Sequence, residues 1–217
     1  MLRDDNGGSF RFPFAMLLSG IRILSTAPRG RAAGARRLAL SIAAALALGV
    51  AAGCTPALDW RTLHSEAGYS IDLPAKPTLD ARPVEIGGAS MDMRMQAAHV
   101  EGAVFAVGTV SLPDARPATQ RAVLDALRAG LSRNLRAQAA EREVAVPLAA
   151  GGSTPGIELR LSGEPAGASG ASGAAAGKTV VARLVARGAH VYQAVAIADA
   201  PLPPEALDQF LGSFKLD

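Results

Sequence analysis

The sequence TVVARLVARGAHVYQAVAIA, residues 179–198, holds two apolar runs on either side of a short polar segment. Apolar runs of about eight residues that are bounded by a turn signal are typical of β-strands. The segment Arg187-Gly-Ala-His190 between the runs has the composition of a turn. The stretch therefore predicts a pair of antiparallel strands at residues 179–186 and 191–198, and we expect other strands to join this pair.

Two further segments show the alternation of a half-buried strand. In YSIDL, residues 69–73, apolar and polar residues alternate, and the prolines at 74 and 77 end the strand because proline cannot donate to a neighbouring strand. In IELRL, residues 157–161, three apolar side chains point one way and two charged ones the other. Other strands are predicted at residues 60–64, 84–86, 91–100, 104–112 and 144–148, and the strand at 157 continues to 162.

Two helices are expected, at residues 118–139 and 204–214. In the first, apolar residues recur at spacings of three and four and share one face, while four arginines and Asp125 occupy the opposite side. Pro203 and Pro204 suit the start of the second, where the first amides of a helix have no partner. The apolar faces consist of Val123, Leu124, Leu127, Leu131 and Leu135 in the first helix, and of Leu207, Phe210, Leu211 and Phe214 in the second.

This order of elements predicts an α+β domain. Runs of strands that are separated by few helices are typical of an antiparallel sheet with helices packed on it. We expect about six to seven antiparallel strands, packed by one long helix and a C-terminal helix, in a single domain at residues 60–217. Residues 165–177 contain only small side chains after the proline, so residues 163–178 are expected to form a flexible loop.

The domain resembles the PsbP-like fold over residues 60–217. The resemblance depends on Tyr69-Ser-Ile-Asp-Leu-Pro-Ala-Lys-Pro77, on Ala182-Arg-Leu-Val-Ala-Arg-Gly-Ala-His-Val-Tyr-Gln193 and on Phe210-Leu-Gly-Ser-Phe214. These are signatures of a fold and not of a catalytic site. The resemblance implies a module for binding or assembly, in a family whose small bacterial members include lipoproteins.

Residues 36–53 resemble the signal peptide of a bacterial lipoprotein. Two arginines at 36 and 37 precede the apolar run LALSIAAALALGV, residues 38–50, which is followed by Ala51-Ala-Gly53 and by Cys54, the only cysteine of the chain. Basic residues, an apolar run and small residues are the parts of a secretory signal. The resemblance implies cleavage between Gly53 and Cys54 and attachment of acyl chains, palmitate among them, to Cys54.

Two other fates of this segment remain open. It is either an ordinary cleaved signal or an uncleaved N-terminal membrane helix, because the 16 apolar residues 38–53 approach the ~17 that span a bilayer. In the second case the arginines before it would hold the N-terminus in the cytoplasm. In every case residues 54–217 lie outside the cytoplasm.

The resemblance to lipoproteins also bears on localisation. Thr55, and not Asp, follows the cysteine, which implies the periplasmic face of the outer membrane. A single-pass protein of the inner membrane is the alternative. Residues 54–59 are expected to be a tether. Residues 1–35 are expected to be a disordered extension, or an artefact of the gene model if translation starts downstream, for example at Met16.

The charge of the chain divides at the same boundary. Residues 1–53 hold seven arginines and two aspartates, a balance of +5, whereas residues 54–217 hold 15 basic and 17 acidic residues, a balance of −2. The net charge of +3 therefore comes from the leader. A slightly acidic domain with few aromatic residues argues against nucleic acid as a partner. With one cysteine the chain has no internal disulfide.

The clearest candidate for chemistry is Met91-Asp-Met-Arg-Met95. In a strand, Met91, Met93 and Met95 share a face, and thioethers bind Cu(I). Packing in the core is the favoured interpretation, because the first and last methionines lie about 13 Å apart on a strand. The histidines are scattered at positions 64, 99 and 190, without the spacing of metal ligands, and each is expected at a strand end in water.

We find no nucleophile elbow, zinc-protease motif or phosphate-binding glycine loop in the sequence. The sequence therefore predicts a lipid-anchored protein of the envelope that is not an enzyme and needs no cofactor. It is held at the membrane by its lipid and binds a protein partner or supports an assembly. The alternatives are a periplasmic module that binds a small ligand or Cu(I), and a single-pass membrane protein with an uncleaved N-terminal helix.

Overall fold

The computed structural model describes residues 58–165 and 177–217. This part of the chain forms ten strands and two helices. The strands are β1 (Arg61–Ser65), β2 (Tyr69–Leu73), β3 (Thr78–Ile86), β4 (Ala89–Val100), β5 (Ala103–Ser111), β6 (Ala140–Pro147), β7 (Ser153–Gly163), β8 (Lys178–Arg187), β9 (His190–Ala198) and β10 (Lys215–Leu216). The helices are α1 (Pro117–Leu135) and α2 (Pro204–Gly212).

The strands form two sheets in which every paired neighbour is antiparallel. The larger sheet has seven strands in the order β3-β4-β5-β9-β8-β7-β6, and the smaller has three in the order β1-β2-β10. The strand pair expected at residues 179–198 forms as β8 and β9, at the centre of the larger sheet. Gly188, with φ of +56°, occupies the turn between them, where a larger side chain would be strained.

Helix α1 covers one face of the seven-stranded sheet. Its residues Val123, Leu127, Leu131 and Leu135 are at most 1% exposed and pack with apolar side chains of β7, β8 and β9. Burial of each such side chain contributes roughly 1.5–3 kcal/mol. The helix ends one turn before residue 139, where we had expected it to end, because Arg136 adopts the left-handed conformation and the chain then enters edge strand β6.

The small sheet and α2 cover the opposite face. Phe105 of β5 meets Phe210 of α2 edge to face, with ring centroids 5.2 Å apart. Tyr69 of β2 lies 5.9 Å from Tyr192 of β9 and 6.0 Å from Phe214. These contacts hold the C-terminal segment and the first hairpin on the same side of the larger sheet.

Because both faces are covered, the central strands are buried on both sides. Eight of the nine residues of β5 and eight of the nine of β9 are buried. Such strands have continuous apolar sequences instead of alternating ones. The domain therefore consists of three layers, with α1 on one side of the seven-stranded sheet and the small sheet with α2 on the other.

The expected α+β class and the antiparallel sheet with two helices are confirmed. The expected six to seven strands correspond to the larger sheet, but three further strands form a separate sheet. Strand β3 begins at Thr78 and not at residue 84, β6 begins at Ala140 and not at residue 144, and β10 was not expected.

Several expectations lie outside the described residues. These include the extension at 1–35, the signal or membrane segment at 36–53, and Cys54 with its cleavage site. Most of the expected loop at 163–178 lies outside as well, since only residues 163–165, 177 and 178 are described. Among the helices that the structure describes, none has the length and apolar character needed to cross a membrane.

Candidate functional site

A cleft lies between the β1–β2 hairpin and the edge of the larger sheet formed by β3, β4 and β5. The hairpin is fixed at its tip, where the Tyr192 hydroxyl donates a hydrogen bond of 2.7 Å to the carbonyl oxygen of Ala67. It is fixed again where the Tyr69 hydroxyl donates to Oε1 of Gln96 on β4. Gly68 suits the turn at this tip, because its φ of +82° is a backbone conformation that other residues rarely adopt.

The cleft has a volume of about 330 Å³ and mixed chemistry. Its floor includes Tyr69 and Thr109, which are 2% and 4% exposed. Its rim is formed by side chains from three strands, among them His64, Leu79 and Arg94, all of which are exposed. A volume of this size is at the lower end of what binds a small molecule or one or two side chains of a partner.

Two exposed residues of the rim lie side by side. Leu79 is 63% exposed and is the one large hydrophobic side chain in this state among the described residues. Arg94 stands on the neighbouring strand, and its side chain has no ion-pair partner in the described part of the chain. The sheet register pairs Leu79 with Gln96 and Ala81 with Arg94, so the two rim residues lie one step apart on the same face.

The floor of the cleft holds a tyrosine that is hard to ionise. Burial raises the pKa of Tyr69 to about 12, while a hydrogen bond with Ser65 acts weakly in the opposite direction. The phenol therefore stays a neutral donor to Gln96 at any physiological pH. It positions the hairpin and is not a base.

The methionine row, which is Met91, Met93 and Met95, lies on the opposite face of β4 from the cleft. The three side chains are 9%, 2% and 9% exposed and belong to the core beneath α1. The absence of a side chain at Gly108 makes room for them, since an added Cβ there would lie 2.6 Å from Cε of Met93 and 3.6 Å from Cε of Met95. This arrangement is consistent with packing.

The histidines are not brought together. His64 and His99 are exposed on β1 and β4, and His190 begins β9, with its ring 5.9 Å from that of Tyr192. Within residues 58–165 and 177–217, no group of three or more His, Cys, Asp or Glu side chains is placed to hold a metal ion.

Sequence reasoning did not identify Leu79, Arg94, Gln96 or Thr109 as site residues. A signal for Arg94 was present, because the alternation in Met91-Asp-Met-Arg-Met95 places it on the face opposite the methionines. Nothing local indicates that this face borders a cleft, since the hairpin that closes it comes from residues 61–73.

A scan of the chain against protein-family models finds no matching family, and a search of curated proteins finds no similar sequence.

Proposed function

We propose that the protein is a lipid-anchored, non-enzymatic component of the bacterial envelope whose domain binds a protein partner at the cleft. The observation that carries the partner site is the exposed Leu79 beside the unpaired Arg94, at the rim of a cleft with mixed polar and apolar lining. Interface centres are more apolar than the rest of a protein surface and are enriched in arginine. A partner segment with an apolar side chain followed by a carboxylate fits this pair.

The anchor part of the proposal depends on the leader. The small residues 51–53 before Cys54 suit a lipoprotein signal peptidase, and Thr55 suits the periplasmic face of the outer membrane. Asp59 donates its amide to the carbonyl of Pro74, and the Trp60 ring packs edge to face with Phe105 at 6.1 Å. These contacts lie five residues after Cys54, and five residues span at most about 17 Å.

The short tether has a consequence for orientation. The end of β1 that carries Trp60 would face the membrane, whereas the hairpin tip at Ala67 lies at the other end of the strand. At ~3.3 Å per residue, the seven residues from Trp60 to Ala67 place the tip at most about 23 Å further from the lipid, when β1 stands along the membrane normal. The cleft would then open towards the periplasm, where a soluble partner or the exported part of a membrane protein can reach it.

The PsbP-like fold belongs to the same proposal. The described residues supply an antiparallel sheet, a long helix and a C-terminal helix in the expected order. The three segments that suggest the resemblance correspond to β2 with its exit, to the second half of β8 with the first half of β9, and to the end of α2 with the two residues after it. The resemblance implies a module for binding or assembly, which agrees with a partner site at the cleft.

Mass spectrometry of the protein extracted from membranes tests the anchor. We expect the N-terminal peptide to begin at an acylated Cys54, and the Cys54→Ala variant to lose the acyl mass. A protein that starts at an intact Met1 or Met16 would overturn lipoprotein processing and would favour an uncleaved membrane helix.

Site-specific cross-linking in intact envelopes tests the partner site. A photo-reactive residue at position 79 should give a discrete adduct that Arg94→Glu abolishes. The matched control is Arg121→Glu, which reverses the charge of an exposed arginine on α1 and should leave the adduct unchanged. If both charge reversals have the same effect, or if no adduct forms, the cleft is not the partner site.

The second candidate function is binding of a small ligand, which the volume of the cleft supports. A specific ligand would raise the melting temperature of the purified protein, and Leu79→Asp would remove that rise. The cross-linking result separates the two candidates, since a small ligand gives no protein adduct.

A further inference from the structure

A charged cluster lies near the β6 edge of the larger sheet, at the opposite end of the sheet from the cleft. The strand register places Arg142 opposite Glu158 and Glu158 opposite Arg183, on three adjacent strands. Arg160 stands two residues after Glu158 on the same face of β7. We call these four residues the arginine cluster, and they lie on the face that α2 and the small sheet cover in part.

The Glu158 carboxylate is the centre of the arginine cluster. Its side chain is 1% exposed. Oε1 accepts from Nε and Nη2 of Arg142 at 2.9 and 2.8 Å, and from Nε and Nη2 of Arg160 at 3.2 and 3.0 Å. Oε2 accepts from Nη2 of Arg183 at 3.1 Å. One carboxylate therefore orients three guanidinium groups.

Charge in the arginine cluster is not balanced. Three cations surround one anion, which leaves a local charge of +2 in a domain whose overall balance is −2. The nearest acidic residues of β6 do not correct this. Glu141 belongs to the other face and pairs with Arg128 of α1 at 3.0 Å, and Glu143 likewise alternates away from Glu158.

The excess charge faces solvent. The side chains of Arg142 and Arg160 are 61% and 55% exposed, and each uses only its Nε and Nη2 edge on Glu158. Among the described residues, their Nη1 groups have no other partner. Both guanidiniums bind the same oxygen, so they lie within about 6 Å of each other, and in this part of the chain each keeps its Nη1 donors free.

Arg183 makes the site rigid from below. Its side chain is 12% exposed and its Nη1 donates 2.8 Å to the carbonyl oxygen of Leu211, near the end of α2. Its Nε is buried without a partner in the described part of the chain. The inner edge of the cluster is thus fixed by protein groups, while the outer edge remains free for a ligand.

We propose that the arginine cluster binds a phosphate monoester on the solvent side of Arg142 and Arg160. Two planar guanidiniums fixed side by side match the oxygens of a phosphate group. A phosphate monoester carries about −1.5 to −2 at pH 7 and so balances the local +2, whereas a carboxylate would leave half of it. The site is distinct from the cleft and does not depend on the partner proposed there.

Two sources present this chemistry, namely soluble phosphate esters and lipid headgroups with a terminal phosphate. Full-length protein in micelles of neutral detergent tests both. In one arm glycerol phosphate is titrated at constant ionic strength and the melting temperature is followed, and in the other the micelles contain phosphatidic acid. A response in both arms assigns the group itself, and a response to phosphatidic acid alone assigns the headgroup as the source.

The double variant Arg142→Gln, Arg160→Gln should bind the responding ligand at least tenfold more weakly. The double variant Arg142→Lys, Arg160→Lys keeps the charge but loses the planar guanidinium groups. Its affinity for the ligand should lie between that of the wild type and that of the glutamine variant. The matched control replaces two exposed arginines of the α1 region, Arg121→Gln with Arg136→Gln, and should bind as the wild type does. No response in either arm, or an equal loss in the control, would overturn the proposal.

Discussion

Replacement of Glu158 by glutamine should destabilise the domain by about 3 kcal/mol. The carboxylate is 1% exposed and accepts hydrogen bonds from three arginines. Glutamine keeps the size of the side chain but removes the negative charge. It also turns an amide NH2, which is a donor, towards guanidinium groups, which have no acceptor atom. The three cations then remain without their shared counter-charge.

The magnitude follows from how far each arginine is buried. Removal of one partner from a buried ion pair costs about 3–5 kcal/mol, because the other charge is left uncompensated. Water can hydrate Arg142 and Arg160, which are 61% and 55% exposed, but not Arg183 at 12%. The cost should therefore come mainly from Arg183 and lie at the lower end of that range.

Urea unfolding followed by circular dichroism at pH 7 measures this difference. The matched control is Glu143→Gln, an exposed glutamate of β6, which should change the free energy of unfolding by less than about 0.5 kcal/mol. Adding Arg183→Met to Glu158→Gln should recover at least about 1 kcal/mol, since it removes the stranded charge. A loss below about 1 kcal/mol in the single variant, or simple addition of losses in the double, would refute the reasoning.

The stability difference between the wild type and Glu158→Gln should depend on pH. Burial raises the pKa of Glu158, but hydrogen bonds from the three arginines outweigh it, and the net pKa lies below the ordinary value of 4.5. The unfolded state therefore takes up the proton first, so the stabilisation by Glu158 is complete above the unfolded pKa and lost as the pH falls through the folded one. The stability gap between wild type and Glu158→Gln should narrow below pH 4.5, and a constant gap would contradict the assignment.

Four other predictions concern the first hairpin, the close packing of a glycine, and the methionine row. Tyr69→Phe removes the hydrogen bond to Gln96 and should cost about 1 kcal/mol in urea unfolding. In the wild type, ultraviolet titration should show little tyrosinate at pH 10, because burial raises the pKa of Tyr69 to about 12 and also raises the pKa of Tyr192, the other tyrosine of the chain. Gly163→Ala should cost roughly 2–3 kcal/mol, since the added Cβ would overlap the carbonyl oxygen of Leu135, whereas Gly212→Ala meets no atom within 4 Å and should be neutral. Replacement of the whole methionine row by leucine should leave the affinity for Cu(I) unchanged in a competition titration, because the row packs in the core. Loss of a stoichiometric Cu(I) site in this variant would contradict the packing role.

Local patterns predicted the central elements and failed at the edges. Strands β8 and β9 and the apolar face of α1 depend on periodicity within one segment, and both appear close to the expected bounds. The first half of β3 has no such pattern. Residues 78–83 are mostly exposed and include Pro83, which an edge strand tolerates because one side needs no donors. Only its pairing with β4 makes this segment a strand.

The cleft and the arginine cluster depend on contacts that are distant in the sequence. Alternation correctly predicts that Glu158 and Arg160 share a face, but it does not indicate that Glu158 is buried. That burial requires the layer formed by α2 and the small sheet. Hydrogen bonds within this layer join residues that are distant in the sequence, such as the bond from the Asp72 amide to Ser213 Oγ, 141 residues apart. Contacts of this kind cannot be predicted from the residue pattern of one short segment.

The register also decides whether the two proposed sites act together. One cross-strand row runs through Leu79, Gln96, Val107, Ala194, Arg183, Glu158 and Arg142. Within this row, Gln96 on β4 and Glu158 on β7 are four strand-to-strand steps of ~4.8 Å apart, which gives about 19 Å. Charges at that distance are largely screened at physiological salt, where the Debye length is ~8 Å, and substitutions that far apart add independently. Since α2 and the small sheet lie over the buried residues between them, Arg94→Glu should not alter the phosphate response, nor should loss of the cluster alter cross-linking at position 79.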